Sequence, residues 1–224
     1  MIDNKSTNVV RTENFDIENP TISVSTVDSD ISVVESENGR TTIEIHAGSE
    51  QGRDSAQNAQ ITANGATIKV ELNKKKGGLK DFFNFGGGGV SIMVRMPSAG
   101  ILDLKTVSAD IETDVTVKNL DASTVSGDVT IHKNPTMHCK VKTVSGDVVT
   151  RTYSACDYSL KSVSGDISVH VAPGLEIEVD GKSLSGEMTS EILLDADSDA
   201  AFKSAGAVSI SASTISGDFS LARN

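Results

Sequence analysis

A six-residue phrase of the form Thr-Val-Ser-Gly-Asp-Val recurs through the second half of this 224-residue chain. Its copies begin at Thr106, Thr124, Thr143, Ser162, Ser183 and Thr214, so successive starts are 18, 19, 19, 21 and 31 residues apart. A near-constant period of this size is typical of proteins built from stacked repeats, with one supersecondary unit in each period. The repeat therefore predicts one elongated domain that presents an extended surface.

Apolar residues alternate with polar ones on both sides of each phrase. Leu102 and Leu104 precede the first copy, and Val129 and Ile131 follow the second. A period of two is typical of β-strands, and a Gly-Asp pair between two such runs indicates a bend. Each repeat is therefore predicted to contain two strands and two turns, in an all-β protein.

Two all-β architectures are compatible with such units. Neighbouring strands of an antiparallel meander need not resemble one another one period later, whereas a parallel solenoid stacks equivalent positions into files and so favours a repeated phrase. We predict a parallel β-solenoid (β-helix) of about 19-residue coils over residues 101–224. Residues 1–100 carry the pattern less regularly and are predicted to form irregular β coils or a cap, continuous with the same domain; residues 50–59 are expected to be a polar loop or a short helix.

The formal net charge of −11 argues against nucleic acid as a partner, because phosphate backbones are bound through clustered Lys and Arg. The sequence begins without the apolar segment of a secretory signal, and no stretch approaches the roughly 20 apolar residues of a spanning helix. These features predict a cytoplasmic location, with peripheral membrane association left open.

The phrase and its spacing, together with the Gly-rich segment and the strand from Ser91 to Pro97, resemble a bacterial family over residues 10–224. This is the putative-adhesin β-strand-repeat family, a domain of unknown function. The resemblance implies a right-handed β-solenoid of bacterial origin, often in proteins associated with the cell envelope or the stress response. It carries no catalytic residues over to this chain.

The fifth position of the phrase places one carboxylate in every coil. We predict that these side chains form a structural turn ladder, because Asp at a bend commonly accepts hydrogen bonds from nearby N–H groups. Bridging by calcium is the alternative, although the glycine-rich calcium repeat of other solenoids is absent. The ladder comprises Asp110, Asp128, Asp147, Asp166, Glu187 and Asp218.

No catalytic, cofactor or metal-binding arrangement is expected. His132, Arg151 and His170 hold equivalent positions in successive repeats, and the two imidazoles are expected nearly 10 Å apart as solvated side chains. No coil is expected to add a second carboxylate or a basic cluster to the pattern. A carbohydrate-active β-helix enzyme remains the alternative, and an unpatterned carboxylate pair in a groove would favour it.

The glycine-rich segment 77–89 and the lysines before it depart from the repeat. Its apolar side chains either cap the solenoid core or contact a protein partner, a second copy of the chain or an anionic membrane surface. We predict a contact site formed by Lys74, Lys75, Lys76, Leu79, Lys80, Phe82, Phe83 and Phe85.

The second position of the phrase is aliphatic in every copy. We expect this column to turn inward; the alternative is an exposed stripe available to another subunit. The column comprises Val107, Val125, Val144, Val163, Leu184 and Ile215.

Cys139 and Cys156 are the only cysteines. Their places in adjacent repeats predict that both face the core about 8 Å apart, beyond disulfide reach, as reduced thiols.

Taken together, these features predict a non-enzymatic β-solenoid scaffold or binding protein. It is expected to act through contacts with a protein, with a membrane surface or with itself, and it is expected to need no cofactor. Besides the carbohydrate-active enzyme, a self-assembling cytoskeletal scaffold is the other alternative.

Overall fold

The computed structural model describes residues 8–72, 89–192 and 207–224. Within these ranges the chain forms 19 strands and one short helix, which confirms the all-β prediction. In chain order the elements are β1 (Asn8–Phe15), β2 (Thr21–Ser25), β3 (Asp30–Glu35), β4 (Thr41–Ala47), α1 (Glu50–Gln57), β5 (Gln60–Asn64), β6 (Thr67–Glu71), β7 (Val90–Met96), β8 (Ile101–Lys105), β9 (Ile111–Asp114), β10 (Asn119–Ser123), β11 (Val129–Ile131), β12 (His138–Lys142), β13 (Val148–Thr152), β14 (Asp157–Lys161), β15 (Ile167–Val171), β16 (Ile177–Ser183), β17 (Met188–Ser190), β18 (Val208–Thr214) and β19 (Phe219–Arg223).

The strands form two sheets. Sheet A has the order β1-β4-β7-β3-β9-β11-β13-β15-β19-β17, and sheet B has the order β16-β18-β14-β12-β10-β8-β2-β6-β5. Equivalent strands of neighbouring repeats pair in parallel and in register, so that Leu120 lies between Leu102 and Cys139. Each repeat contributes one strand to each sheet, and the phrase forms the turn from sheet B to sheet A.

The core lies between the two sheets and consists of files of aliphatic side chains. One file runs through Leu104, Ala122, Val141 and Leu160, which are all fully buried. The alternation predicted from the sequence places these residues inward and their neighbours outward, because successive side chains of a strand point to opposite faces. The first residue of the phrase is also buried, and the Thr143 hydroxyl accepts a 2.9 Å hydrogen bond from the N–H of Gly146.

Glycine in the phrase is required by the close stacking of turns. A Cβ atom built on Gly146 would lie 1.8 Å from the carbonyl oxygen of Gly127, and one on Gly165 would lie 1.9 Å from that of Gly146. Neither residue is among those with positive φ. The backbones of adjacent coils therefore meet where a side chain would otherwise stand.

The order of the coils in space differs from their order in the chain at both ends of the stack. At the carboxyl end, β18 lies between β14 and β16, and β19 lies between β15 and β17. At the amino end, β6 and β7 lie outside β2 and β3. The expectation that each coil stacks on its predecessor is therefore wrong at both ends.

The composition of the strands explains the inserted carboxyl-terminal coil. Val208 and Ile210 of β18 are buried, whereas Val179 of β16 is only half-buried and alternates with exposed charged residues. An end coil contacts one neighbour and an inner coil contacts two, so the more apolar coil takes the inner place. The 31-residue interval before the last phrase provides the chain for this return.

Antiparallel strands close the amino-terminal end. β4 pairs antiparallel with β1 and β7, and β5 pairs antiparallel with β6. Helix α1 begins after Ser49, whose hydroxyl accepts a hydrogen bond from the N–H of Gly52, and it buries Gly52 and Ala56. Of the two expectations for residues 50–59, the short helix is the one observed. Such a cover protects the open end of a sheet from further pairing.

Candidate functional site

The outer face of sheet A carries a groove of about 720 Å³. Strands β3, β7, β9 and β13 contribute outward-facing side chains to it, and so do the residues after β11 and β13. Met93 and Tyr153 provide apolar and aromatic surface, and Tyr153 is 54% exposed. The charged lining consists of Glu112, Asp114, His132, Lys133 and Arg151.

Lys133 holds two carboxylates together at one side of the groove. Its Nζ lies 3.4 Å from Glu35 Oε2 and 3.4 Å from Asp114 Oδ1, and the Ser98 hydroxyl donates a hydrogen bond to Glu35. The bond from Ser98, opposed by slight burial and reinforced by Lys133, lowers the pKa of Glu35. Partial burial disfavours the charged form of Lys133, but Asp114 and Glu35 outweigh it and raise the pKa of this lysine.

A second chain of contacts runs through His132. Its Nε2 lies 2.8 Å from Glu112 Oε1, and its Nδ1 lies 3.2 Å from Arg151 Nη1. Because a guanidinium can only donate, Nδ1 must accept the bond from Arg151, and Nε2 must carry the proton donated to Glu112. The contacts therefore favour the neutral Nε2–H tautomer.

His132 is hydrogen-bonded on both ring nitrogens, and its side chain is 34% exposed, so it is a partly solvated side chain with two fixed partners. The expectation that no coil adds a second carboxylate is wrong, because Glu112 and Asp114 of β9 both line the groove, and Lys133 links Asp114 to Glu35. The predicted register is observed for Arg151, which pairs with His170 in the next coil.

The file of acidic residues at the turn forms a continuous series of hydrogen bonds. Asp128 Oδ1 accepts from the N–H of Asp147 at 2.9 Å, and Asp147 Oδ1 accepts from the N–H of Asp166 at 2.8 Å. The same contact links the other members, and Asp30 begins the series. In spatial order the aspartate ladder is Asp30, Asp110, Asp128, Asp147, Asp166, Asp218 and Glu187. Among the described residues, no group of three or more His, Cys, Asp or Glu side chains is arranged to hold a metal ion.

The aliphatic column of the phrase points outward, and the expectation that it turns inward is wrong. Val107, Val125, Val144 and Val163 are 41–45% exposed, Ile215 is 49% exposed and Leu184 is 82% exposed. The inward positions at the turn are taken by the hydroxyl residue before the aliphatic residue and by the small residue two places after it, and both are buried in every copy except the outermost, which contains Ser183 and Gly186. The aliphatic residue and the serine after it therefore form the outer edge.

The predicted contact site lies outside the described residues. Its members are Lys74, Lys75, Lys76, Leu79, Lys80, Phe82, Phe83 and Phe85.

Both cysteines are buried and unpaired, as expected. Cys139 pairs in register with Tyr158, so Cys156 is two residues out of register with it. Tyr158 is buried beside the thiols, and its phenolic oxygen accepts a 2.6 Å hydrogen bond from Thr152.

Over residues 8–72, 89–192 and 207–224, no helix combines the length and the apolar character needed to cross a membrane.

Several solved structures align with most of the chain. A putative cell adhesion protein from Clostridium sporogenes ATCC 15579 aligns with a TM-score of 0.57 and 8% identity over 96% of this chain and 99% of its own. A putative adhesin from Bacteroides fragilis NCTC 9343 aligns with a TM-score of 0.37 and 15% identity, over 96% of each chain. A putative lipid binding protein from Parabacteroides distasonis ATCC 8503 aligns with a TM-score of 0.38 and 12% identity, also over 96% of each chain.

The first of these similarities shows a shared fold alone. A comparison with curated proteins found no significant match. The model of the family described as Toastrack DUF4097 matches residues 19–155 and 136–222, which together span most of the sequence. The chain therefore belongs to the Toastrack DUF4097 family, a bacterial adhesin-like domain of unknown function.

Proposed function

We propose that this protein is a non-enzymatic binding scaffold. It is a right-handed parallel β-solenoid of about 19-residue coils, and the groove on sheet A holds an extended, hydroxyl-rich ligand such as a glycan. Parallel, in-register pairing of successive repeats supports the solenoid, and the strong preference of parallel β connections for one hand supports its handedness. The buried core runs through residues of both 1–100 and 101–224, which supports one continuous domain.

The observation that carries the ligand proposal is an exposed aromatic ring in a groove lined by paired charges. The ring of Tyr153 offers a flat apolar face, and sugar rings present C–H groups to such faces. The hydrogen-bonded side chains of Glu112, His132 and Arg151 offer donors and acceptors that can bind the hydroxyl groups of a ligand. Since two carboxylates, Glu112 and Asp114, and two cations, Lys133 and Arg151, line the groove, its charges balance and it suits a neutral polar ligand better than an ion.

The electrostatics of Glu35, beside the groove, argue against this carboxyl group as a proton donor in catalysis. A glycosidase needs one carboxyl group whose pKa is raised, so that it can donate a proton to the leaving group. The pKa of Glu35 is lowered instead, by the hydrogen bond from Ser98 and by Lys133. Glu112 and Asp114 remain the unpatterned carboxylates that a carbohydrate-active enzyme would use, so the test below includes a search for cleavage.

The aspartate ladder and the segment 77–89 belong to the same proposal in different roles. The ladder is a structural device of the turns, and its hydrogen bonds support that role. Residues 77–89, with the lysines before them, are proposed on composition as a second contact site for a protein or an anionic membrane surface. Growth into a cytoskeletal filament is less favoured, because antiparallel strands close the amino-terminal end of both sheets.

Binding to an array of bacterial and host glycans, followed by calorimetry on the best hit, tests the groove. We expect Tyr153→Ala to weaken binding of the best hit about 5-fold or more, since loss of an aromatic stacking partner costs about 1 kcal/mol or more. Met137→Ala is the matched control, because Met137 is 52% exposed and lies away from the groove.

The outcomes separate the alternatives. No glycan bound by the wild type, or equal binding by the Tyr153 and Met137 variants, would overturn the ligand proposal. The appearance of new reducing ends during incubation would identify a carbohydrate-active enzyme instead.

A further inference from the structure

The outward aliphatic column forms one continuous stripe along the turn edge between the sheets. In spatial order the aliphatic stripe is Val107, Val125, Val144, Val163, Ile215 and Leu184, and the half-buried Val27 precedes it. In every coil, the N–H of the serine after the aliphatic residue donates to the carbonyl of the neighbouring aliphatic residue, such as the 2.9 Å bond from the Ser126 N–H to the Val107 carbonyl. Coils stack about 4.8 Å apart, so the stripe runs straight along the stack. A contiguous apolar strip of this kind marks an interaction surface.

The two sides of the stripe carry opposite charge. A file of residues on the outer face of sheet B lies two residues before each aliphatic residue. From β2 onward this file contains only lysine and serine: Ser25, Lys105, Ser123, Lys142, Lys161, Ser213 and Lys182. We call this file the lysine border. The aspartate ladder lies three residues after the aliphatic residue, on the sheet A side of the stripe. Lys142 and Lys161 are exposed and form no ion pair with any described residue.

We propose that the aliphatic stripe binds the same stripe of a second copy, in a dimer whose twofold axis runs parallel to the stack of coils. Across the stripe, the coils of Val107, Val144, Val163 and Leu184 read basic, aliphatic, acidic in the same direction, and the coils of Val125 and Ile215 have serine in place of the lysine. Rotation about an axis along the stack brings the lysine border of each copy opposite the aspartate ladder of the other. A twofold axis across the stack would instead bring lysine to lysine and aspartate to aspartate.

This arrangement also aligns the coils. Each aliphatic residue lies opposite its own symmetry mate, as in isologous interfaces, so both stripes share one spacing and no register offset arises. A membrane surface is a poor occupant, because the row of carboxylates along one side would face anionic lipid headgroups. The stripe is narrow, so the dimer is expected to be weak, with a dissociation constant in the micromolar range.

Sedimentation velocity over a concentration series tests the dimer. The wild type is expected to shift from monomer to dimer with rising concentration. Lys142→Glu/Lys161→Glu is expected to weaken the association at least 10-fold, because both lysines would then face carboxylates as like charges. These residues have no ion-pair partner to lose in the monomer, and circular dichroism checks that the variant folds. A wild type that stays monomeric, or a variant that dimerises equally well, would overturn the proposal.

A single cysteine tests the direction of the axis. Val107→Cys lies next to its own mate if the twofold runs along the stack, and about five coil spacings, or roughly 24 Å, from it if the copies are antiparallel. Mild oxidation is expected to give a covalent dimer of Val107→Cys and none of Met137→Cys, which lies on the opposite turn edge. A non-covalent dimer without this cross-link, or assembly beyond dimers, would contradict the proposed geometry. None of these measurements involves the groove, so the two proposals fail independently.

Discussion

Cys139 and Cys156 lie in neighbouring coils of the core, and both thiols stay protonated well beyond the usual range. Burial is the main reason that the pKa of Cys139 lies well above its ordinary value. Burial, reinforced by Asp157, raises the pKa of Cys156 to about 12. Burial also raises the pKa of the neighbouring Tyr158. The two cysteines act as small apolar residues of the core, and their ionisation is coupled to unfolding.

The raised thiol pKa values predict a loss of stability in mild alkali. In the unfolded chain the thiols ionise near pH 9, whereas in the folded chain Cys156 keeps its proton up to about pH 12. The stabilising contribution is therefore complete below pH 9 and falls as the pH rises towards 12. Urea unfolding between about pH 8 and pH 10 measures this slope.

The variant Cys139→Ala/Cys156→Ala provides the control for this slope. It is expected to be less stable at every pH, because it leaves small cavities, but its unfolding free energy should fall less steeply with pH. Equal slopes in the two proteins would show that the thiols do not contribute.

The turn is the element that most limits which residues the repeat can use. Its hydroxyl residue accepts a bond from the glycine N–H, its glycine lets adjacent backbones meet, and its aspartate bonds to the next coil. The spacing of the phrase alone identifies the turn and the file of carboxylates. The exposed aliphatic position was predicted inward, because alternation along a strand does not continue through a bend.

Substitution of Asp147 separates the hydrogen bond of the aspartate ladder from its charge. Asp147→Ala leaves the N–H of Asp166 without its acceptor and is expected to cost about 1 kcal/mol. Asp147→Asn keeps the acceptor oxygen and removes one of several like charges about 4.8 Å apart, so it is expected to match or exceed the wild type in stability. Urea unfolding at low and high salt measures both effects. If Asn costs as much as Ala, the carboxylate charge itself is needed, as for a bound cation.

Over the whole molecule, the position of a coil in the stack does not follow its position in the chain. The last coil in sequence, β18 and β19, is an inner coil with neighbours on both sides, and β16 and β17 form the outer coil. The repeated phrase predicts parallel stacking of like positions, and equivalent strands of neighbouring repeats do pair in parallel. The period does not predict the order of the coils in space, because it carries no information about where a long connection returns to the stack.

A matched pair of valine substitutions tests this order. Val208→Ala in the inner coil empties a fully buried site and is expected to cost about 2 kcal/mol. Val179→Ala in the outer coil removes a half-buried side chain and is expected to cost less than about 1 kcal/mol. Chemical unfolding of both variants measures the difference. The reverse ranking would mean that the coil nearest the carboxyl terminus is the outer one.

The groove, too, is formed by contacts that the repeat pattern does not predict. Glu35 and Lys133 are 98 residues apart and belong to different parts of the repeat pattern. They meet because β3 lies directly against β9, with β7 on its other side. Register within the regular coils was predictable, as for Arg151 and His170, but contacts that depend on the inverted order of the amino-terminal coils were not.

Local rules were sufficient for the strands, the bends and the length of a coil. A period of two, a glycine where backbones touch and an aspartate at each turn act over a few residues and leave their pattern in the chain. The stacking order at both ends, the outward aliphatic stripe and the charged groove were decided by tertiary structure. These features depend on which coil gains most from having two neighbours and on how the chain turns a corner, and neither leaves a periodic signal.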